Sequence, residues 1–226
     1  MTTATASTTG TRTEGGSQTL ARGLAALALV GEAPEPLTVP ELAVRLGIHR
    51  SMAYRLVRTL EQSGFVTRGG SGELAVGARV AVLARNVARD LQGAAVPELA
   101  VLADELRMTA FVVVSDGEAA VTLTTAEPRG LDATVAQRPG SRHAIGQGAP
   151  GRVIRSQLDP VGYPPEPYEL SHDEIIAGLS SVAAPLATRD GKPASLAVIY
   201  VTHAVDIDII AARVIEAAAR ISRALA

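Results

Sequence analysis

The stretch "GIHRSMAYRLVRTLEQSGFV", residues 47–66, carries side chains that suit contact with a polyanion. Between positions 47 and 70 four arginines stand against a single acidic residue (Arg50, Arg55, Arg58 and Arg68 against Glu61). The local charge is therefore +3, in a chain whose net charge is −2. A guanidinium can hold a phosphate or a guanine edge with two hydrogen bonds while staying charged at any cellular pH. This chemistry indicates nucleic-acid binding rather than catalysis.

A helical projection of this stretch separates its arginines from its apolar side chains. At 100° per residue, one stripe is polar and the opposite stripe holds Ala53, Leu56, Val57 and Leu60. The polar stripe can be an ordinary solvated face, which is the usual role of a charged run. Solvated faces more often mix charges of both signs, however, and here the charge is almost entirely positive. We therefore favour a DNA-contacting face.

The elements around this helix have the order of a winged helix-turn-helix. Leu20, Leu24 and Leu27 recur at helical spacing in a first helix that begins after Ser17. Thr38, with a glutamate three residues later, predicts a capping box at the start of a second helix. The third helix then runs from about residue 50 to residue 62, and a Gly-Gly-Ser-Gly turn between two short apolar runs predicts a hairpin. Residues 17–76 are thus predicted to form a winged helix-turn-helix domain.

The way a helix-turn-helix docks on DNA indicates which polar side chains contact bases and which contact phosphates. The N-terminal end of the second helix of such a motif enters the major groove, so candidates for base contacts or phosphate clamps are Arg50, Ser51 and Tyr54. Arg58 and Arg68 are better placed for backbone phosphates, and Arg55 is a further candidate for DNA contact. Thr38 is either a DNA contact or only a helix cap. His49 is either a turn residue or a weak phosphate donor.

Residues 77–226 predict a linker followed by an α+β domain. A linker helix is expected over 77–92, ended by "QGAAVP", and a second helix over 96–106. Strands are predicted on both sides of Asp116-Gly117 and at 131–137, 181–188 and 194–201, with a closing helix over 206–225. The fold class is therefore α+β, with an antiparallel sheet flanked by helices at residues 93–226. Residues 1–16 are expected to form a disordered tail, because they hold almost no large apolar side chain.

The composition speaks against several classes of function. The chain has no cysteine, and its four histidines are far apart, which argues against thiol, redox or structural zinc chemistry, and we expect no cofactor. Without Gly-x-Ser-x-Gly or a His-rich metal motif, we do not expect an enzyme. Without a signal peptide or a long apolar run, we expect a cytoplasmic protein with no membrane contact. The absence of tryptophan argues against stacking platforms for single-stranded nucleic acid.

The stretch "LTVPELAVRLGIHRSMAYRLVRTLEQSGFV" resembles the DNA-binding domain of the IclR-type bacterial transcriptional regulators. "RPGSRHAIGQGAPGRVI" and "GLSSVAAPLATRDGKPASLAV" more loosely resemble segments of their second domain, so that the resemblance covers about residues 17–225. It implies a winged helix-turn-helix on a helical linker, followed by a GAF-like domain for effector binding and oligomerisation. It also implies homodimers, or dimers of dimers, on palindromic operators in double-stranded DNA. We expect a sequence-specific repressor whose DNA affinity is tuned by a small organic acid or an aromatic metabolite.

The resemblance also implies where the effector binds. In the family, the pocket lies between the sheet and a helix N-terminus that can receive a carboxylate. Residue by residue, the matching positions are Gly140, Ser141, His143, Ala144, Gly146, Gly148, Asp173, Ser181 and Val198. The glycines can equally be turn residues, and the histidine a surface residue. Two alternatives stay open: a shortened second domain that serves only for oligomerisation, and a protein-interaction module that uses the winged helix.

Overall fold

The computed structural model describes residues 16–131 and 133–226, and the chain divides into two compact units between Val87 and Ala88. The predicted tail, apart from Gly16, lies outside the described residues. Within the described ranges, no helix is long and apolar enough to cross a membrane. The same ranges contain no group of three or more His, Asp or Glu side chains arranged to hold a metal ion.

The first unit is a helical domain with a small antiparallel sheet. Its elements are α1 (Gln18–Glu32), β1 (Leu37–Thr38), α2 (Val39–Arg45), α3 (Arg50–Gln62), β2 (Val66–Arg68), β3 (Glu73–Val76) and α4 (Arg79–Ala84). The strands lie in the order β1-β3-β2, with Leu37 opposite Leu74 and Val66 opposite Val76. This order of elements confirms the predicted winged helix-turn-helix.

The core of the first unit consists of small and branched apolar side chains. Helices α1, α2 and α3 and the hairpin bury Ala26, Val30, Leu42, Val57 and Leu74 together. Helix α1 forms as its leucine spacing predicts, but not all of these leucines belong to the core, since 63% of Leu20 and 58% of Leu24 are exposed. Periodicity alone could not choose between two apolar stripes of this helix, and the fold buries the stripe with the small Ala26, which allows close helix packing.

The return of the hairpin towards the end of α3 depends on Gly77. Its amide donates a hydrogen bond to the carbonyl of Phe65 at 2.7 Å. A Cβ atom at position 77 would lie 2.2 Å from the carbonyl oxygen of Gly64, which is far inside van der Waals contact. Only glycine therefore lets the two backbone segments approach this closely.

The connection to the second unit differs from the predicted linker helix over 77–92. Helix α4 ends at Ala84, Ala88 adopts a left-handed φ of 45°, and helix α5 then runs from Arg89 to Leu106 through "QGAAVP". Pro97 lies within α5 and has no backbone N–H to donate. The carbonyl that would accept this hydrogen bond belongs to Gly93, which is exposed. Burial of one face of α5, including Leu99, outweighs this local cost.

The second unit contains a six-stranded antiparallel sheet in the order β6-β5-β4-β9-β8-β7. The strands are β4 (Thr109–Ser115), β5 (Ala119–Ala126), β6 (Arg142–Ala144), β7 (Glu169–His172), β8 (Leu179–Leu186) and β9 (Ala194–Val201). Helices α5 and α7 (Ile207–Leu225) cover one face, where Leu196 and Val214 belong to the core. Helix α6 (Gly148–Leu158) covers the other, with Phe111 and Val153. The α+β fold class is confirmed.

One strand of the predicted sheet is wrong and two strands were missed. The described residues of the segment expected as a strand, 131 and 133–137, form none, and the short edge strands β6 and β7 were not predicted. Hydrogen bonds from side chains attach this segment to the sheet, in place of the backbone hydrogen bonds of a paired strand. Thr109 Oγ1 donates to the carbonyl of Val135 at 2.6 Å, and Gln137 Nε2 donates to Thr122 Oγ1 at 2.7 Å. Sequence alternation cannot distinguish this arrangement from a paired strand.

Candidate DNA-contacting face and effector pocket

Helix α3 presents one buried and one exposed face, as its periodicity predicts. Ala53, Leu56 and Val57 are buried in the first unit, whereas the opposite face exposes Arg50, Ser51, Tyr54, Arg55 and Arg58. In the part of the chain that the structure describes, the side chains of Arg50, Arg55 and Arg58 make no hydrogen bond or ion pair. The face therefore carries three unneutralised positive charges along about two turns of helix.

The start of α3 is organised by His49, which is its N-cap. The imidazole Nδ1 accepts a hydrogen bond from the backbone N–H of Ser51 at 3.3 Å and lies 2.9 Å from the Ser51 hydroxyl. With Nδ1 as an acceptor, the neutral ring carries its proton on Nε2, which can donate to a phosphate. Arg50 follows at the first helical position, where the helix dipole disfavours a cation. Arg50 therefore does not stabilise the start of the helix, and its charge has no partner in the described chain.

Two of the predicted contact residues are engaged within the domain. The backbone N–H and the hydroxyl of Thr38 both donate to Glu41 Oε2, at 2.8 and 2.7 Å, so this residue caps α2. Arg68 forms a bidentate pair with Glu61, with Nε to Oε1 at 3.2 Å and Nη2 to Oε2 at 3.3 Å. Its guanidinium also lies 6.0 Å from the ring centroid of Tyr54. Arg68 therefore ties the hairpin to α3, and its charge is largely neutralised.

The second unit contains a cavity of about 330 Å³ between the sheet and the segment that follows β7. Its apolar lining includes Phe111, Ile175, Ile176, Leu179 and Ile199. Its polar lining includes Ser141, His143, Glu174 and Ser181. Three of the predicted effector residues, Ser141, His143 and Ser181, thus line one cavity.

Two buried polar atoms in this cavity lack a partner within the described chain. They are the hydroxyl oxygen of Ser181, a residue that is 6% exposed, and Nε2 of His143. Burial lowers the pKa of His143, so that its ring is uncharged at neutral pH. Leaving such groups unpaired is unfavourable, and native proteins rarely do so. A ligand that hydrogen-bonds to both groups would remove this cost.

Comparing Ser181 with its neighbour Ser180 on β8 tests whether the Ser181 hydroxyl lacks a hydrogen-bond partner. Replacing Ser181 by alanine should leave the free energy of unfolding unchanged or slightly raise it, because no hydrogen bond is lost. Replacing Ser180 should cost about 1 kcal/mol, since its hydroxyl lies 2.8 Å from both His172 Nδ1 and Thr202 Oγ1. Thermal unfolding of both variants makes the comparison, and an equal loss of stability would show that Ser181 is paired.

The start of α6 was expected to bind the carboxylate of an effector. It instead binds the carboxylate of Glu174, a side chain of the same protein. Gly148, at a left-handed φ of 67°, donates its backbone N–H to Glu174 Oε2 at 3.0 Å. Arg152 Nη1 lies 2.7 and 2.6 Å from the two oxygens of Glu174, and its Nε lies 2.8 Å from Glu169 Oε2. The hydrogen bonds from Arg152 hold the pKa of Glu174 below its usual value. Glu174 is therefore ionised at neutral pH.

The remaining predicted effector residues do not line the cavity (Gly140, Ala144, Gly146, Gly148, Asp173 and Val198). For two of them, Val198 and Asp173, the next residue in the sequence lines the cavity instead. Val198 packs on the α5 and α7 side of the sheet, and its neighbour Ile199 faces the cavity, because strand side chains alternate. Asp173 accepts the N–H of Gly178 at 2.7 Å and closes a turn, and its neighbour Glu174 enters the cavity. Sequence reasoning missed Glu174, although it selected the neighbouring Asp173.

Comparison with known proteins agrees with this architecture. The family model of the IclR helix-turn-helix domain matches residues 19–70. An IclR transcriptional regulator from Alicyclobacillus acidocaldarius is 22% identical, with 92% of this chain and 98% of that chain covered and a TM-score of 0.78. An IclR family regulator from Brucella abortus is 20% identical, with 98% and 97% covered and a TM-score of 0.78.

A third similar structure contains a bound small molecule. It is an IclR homolog from Microbacterium hydrocarbonoxydans complexed with 4-hydroxybenzoate, 20% identical, with 92% of this chain and 98% of that chain covered and a TM-score of 0.76. A comparison with curated proteins gives no significant match. Residues 19–70 thus match the IclR helix-turn-helix domain, and solved IclR regulators share the fold of the chain over 92% of its length.

Proposed function

We propose that this chain is an IclR-type transcriptional regulator, that it binds double-stranded DNA sequence-specifically through the exposed face of α3, and that a small molecule in the second unit modulates this binding. The observation that carries the proposal is the set of three exposed arginines without a partner in the described chain, on a helix whose other face is buried. Such a face has no use in stabilising the domain. A phosphate backbone supplies the negative charge that it lacks.

The position of each side chain along α3 supports a division of roles. Arg50, Ser51 and Tyr54 lie in the first two turns and are proposed to contact base edges in the major groove. Arg55 and Arg58 are proposed to contact phosphates, and His49 can add a donor at the helix start. Thr38 and Arg68 support the interface from within the domain.

A homodimer, or a dimer of dimers, on a palindromic operator is the proposed assembly. Leu20 and Leu24 of α1 are exposed one turn apart, and Val82 and Leu83 of α4 are 62% and 56% exposed. Apolar side chains exposed in such numbers favour an interface with another copy. A two-fold dimer recognises an inverted repeat, because the operator mirrors its symmetry. We propose repression, acting on DNA in the cytoplasm, because occupancy of an operator alone suffices to block transcription.

The proposed domain roles follow the two units. Residues 17–76 bind DNA, residues 77–92 connect, and residues 93–226 bind the effector and oligomerise. The cavity and its two unpartnered polar atoms support effector binding over a purely oligomeric role for the second unit. The complex of the Microbacterium homolog with 4-hydroxybenzoate supports the same reading for this fold.

Salt dependence tests the DNA-binding proposal. A duplex selected from a random double-stranded library should bind the full chain roughly a thousandfold or more tightly than a scrambled duplex. Raising the salt concentration from 50 to 200 mM should weaken binding steeply, since each neutralised phosphate contributes about −0.9 to the logarithmic slope. Fluorescence anisotropy of labelled duplexes measures both. A flat salt response, or equal binding of both duplexes, would favour a protein-interaction module instead.

A further inference from the structure

We propose that the effector of this regulator is an uncharged molecule, with a hydroxyl or carbonyl group on an apolar ring, and that Glu174 excludes acids from the pocket. The inference rests on the proposed function, because it assigns a ligand class to the pocket described above. It departs from the organic acid that the sequence resemblance implies.

The charged side chains at the start of α6 disfavour an acidic ligand. Arg152 is shared between Glu169 and Glu174, so one positive charge faces two negative ones and the cluster is net negative. The amide of Gly148, which an incoming carboxylate would need, already donates to Glu174. A third carboxylate at this position would be repelled, and it would find the amide of Gly148 and the guanidinium of Arg152 already bound to Glu174. The chain therefore contains its own anion where an acidic effector would bind.

The other basic side chains that line the cavity do not provide a binding site for an acid. Arg142 Nη2 pairs with Asp116 Oδ2 at 2.7 Å. Arg138 also lines the cavity and, like Glu174, is exposed, but no hydrogen bond within the described chain holds its side chain in place, so an ion pair with it would be screened and would add little affinity. His143 is uncharged because burial lowers its pKa. No buried positive charge among the described lining residues is thus available to an acid.

What the pocket does offer is hydrogen bonding without charge. The hydroxyl of Ser181 can donate and accept, and Nε2 of the neutral His143 ring can do one or the other according to its tautomer. Both lie in a cavity walled by Phe111, Leu179 and Ile199, which suits an apolar ring. At about 330 Å³, the cavity lies near the lower end of small-molecule sites, roughly 300–1,000 Å³. A single-ring molecule with a hydroxyl, aldehyde or amide group fits both its size and its chemistry.

Matched pairs of probes on the full chain test this assignment. Benzoate, 4-hydroxybenzoate and phenylacetate are compared with their three amides, which have nearly the same shape but no charge. Isothermal titration calorimetry at pH 7.5 should give at least one amide that binds about tenfold or more tightly than its acid. Ser181→Ala should weaken binding of that amide about fivefold or more, while the melting temperature of the free chain stays unchanged.

The variant Glu174→Gln removes the charge but retains the shape of the side chain. It should reduce the preference for amide over acid by about tenfold, since Arg152 then faces only Glu169. Glu166→Gln changes an exposed carboxylate outside the cavity lining and should leave the preference as it is in the wild type. Circular dichroism confirms that each variant is folded.

The outcomes separate this inference from the proposed function. An acid that binds the wild-type chain as tightly as its amide would overturn the inference and leave effector binding intact. A preference for the amide that survives in Glu174→Gln would also overturn it, because another group would then exclude acids. If none of the six probes binds the wild type or Glu174→Gln, effector binding in this pocket fails, and the ligand class fails with it.

Discussion

Replacing Arg50 by alanine should weaken binding to the selected operator by about 1–3 kcal/mol per contact, roughly fivefold to more than a hundredfold in Kd. The guanidinium is exposed at the first position of α3 and has no partner in the described chain, so the substitution removes only what it offers to DNA. In a symmetric dimer each substitution is made twice. Fluorescence anisotropy with the selected duplex and with single-base variants measures the loss and shows whether discrimination at one position is relaxed.

Arg55→Ala should act differently if this residue holds a phosphate. Its loss should weaken all duplexes alike and reduce the salt slope by about one unit. The control is Arg213→Ala, which removes an equally exposed arginine of the second unit, paired with Glu216. All three variants should unfold within about 0.5 kcal/mol of the wild type, because exposed side chains contribute little to stability. Undiminished DNA binding by Arg50→Ala and Arg55→Ala would remove α3 as the recognition helix.

Replacing Gly77 by alanine should destabilise the first unit by on the order of 3–5 kcal/mol and abolish DNA binding. The new Cβ would lie 2.2 Å from the carbonyl oxygen of Gly64 and 2.9 Å from the carbonyl carbon of Phe65, and neither backbone atom can rotate away. Relief would require opening the contact between the end of the hairpin and the end of α3. Thermal unfolding followed by circular dichroism should show the first unit melting more than about 15 °C lower.

A matched control for this substitution lies in the same hairpin. Gly70→Ala adds the same methyl group at a position with no atom within 4 Å and no positive φ. It should be neutral or raise stability by about 0.4–1 kcal/mol, because it restricts the unfolded chain. Equal melting temperatures for Gly77→Ala and Gly70→Ala would show that the hairpin accommodates the added atom and that the close approach is dispensable.

The exposed arginine face of α3 could be predicted from the sequence because its determinants are local. A helix of 13 residues fixes which side chains share a face, so the burial of Ala53 and Val57 determines the exposure of Arg50 and Arg58. The exception within this domain is Arg68. Its pairing with Glu61 depends on how the hairpin returns to α3, and no spacing rule specifies that distance.

The pocket could be predicted only in part because its determinants are not local. Which face of β9 lines the cavity depends on its pairing with β4 and β8, and an error of one residue exchanges Val198 for Ile199. Glu174 lies 26 residues from the amide of Gly148 that it binds, so sequence inspection had no reason to join them. Pattern and resemblance locate the segments of this site, whereas the side chains that define its charge emerge only from the fold.

The order of strands in the six-stranded sheet also bears on how the chain acquires its structure during synthesis. The central strands β4 and β9 pair Thr109 with Ile199 and Val114 with Ala194, residues roughly 80–90 positions apart. The DNA-binding unit emerges first and is built from nearby contacts, so it can fold while the rest is still on the ribosome. The edge of β4, with Val112 and Val113, has no partner until β9 has been made. Chains that stop before β9 would therefore have a complete first unit and, in the second unit, an open strand edge that is prone to aggregate.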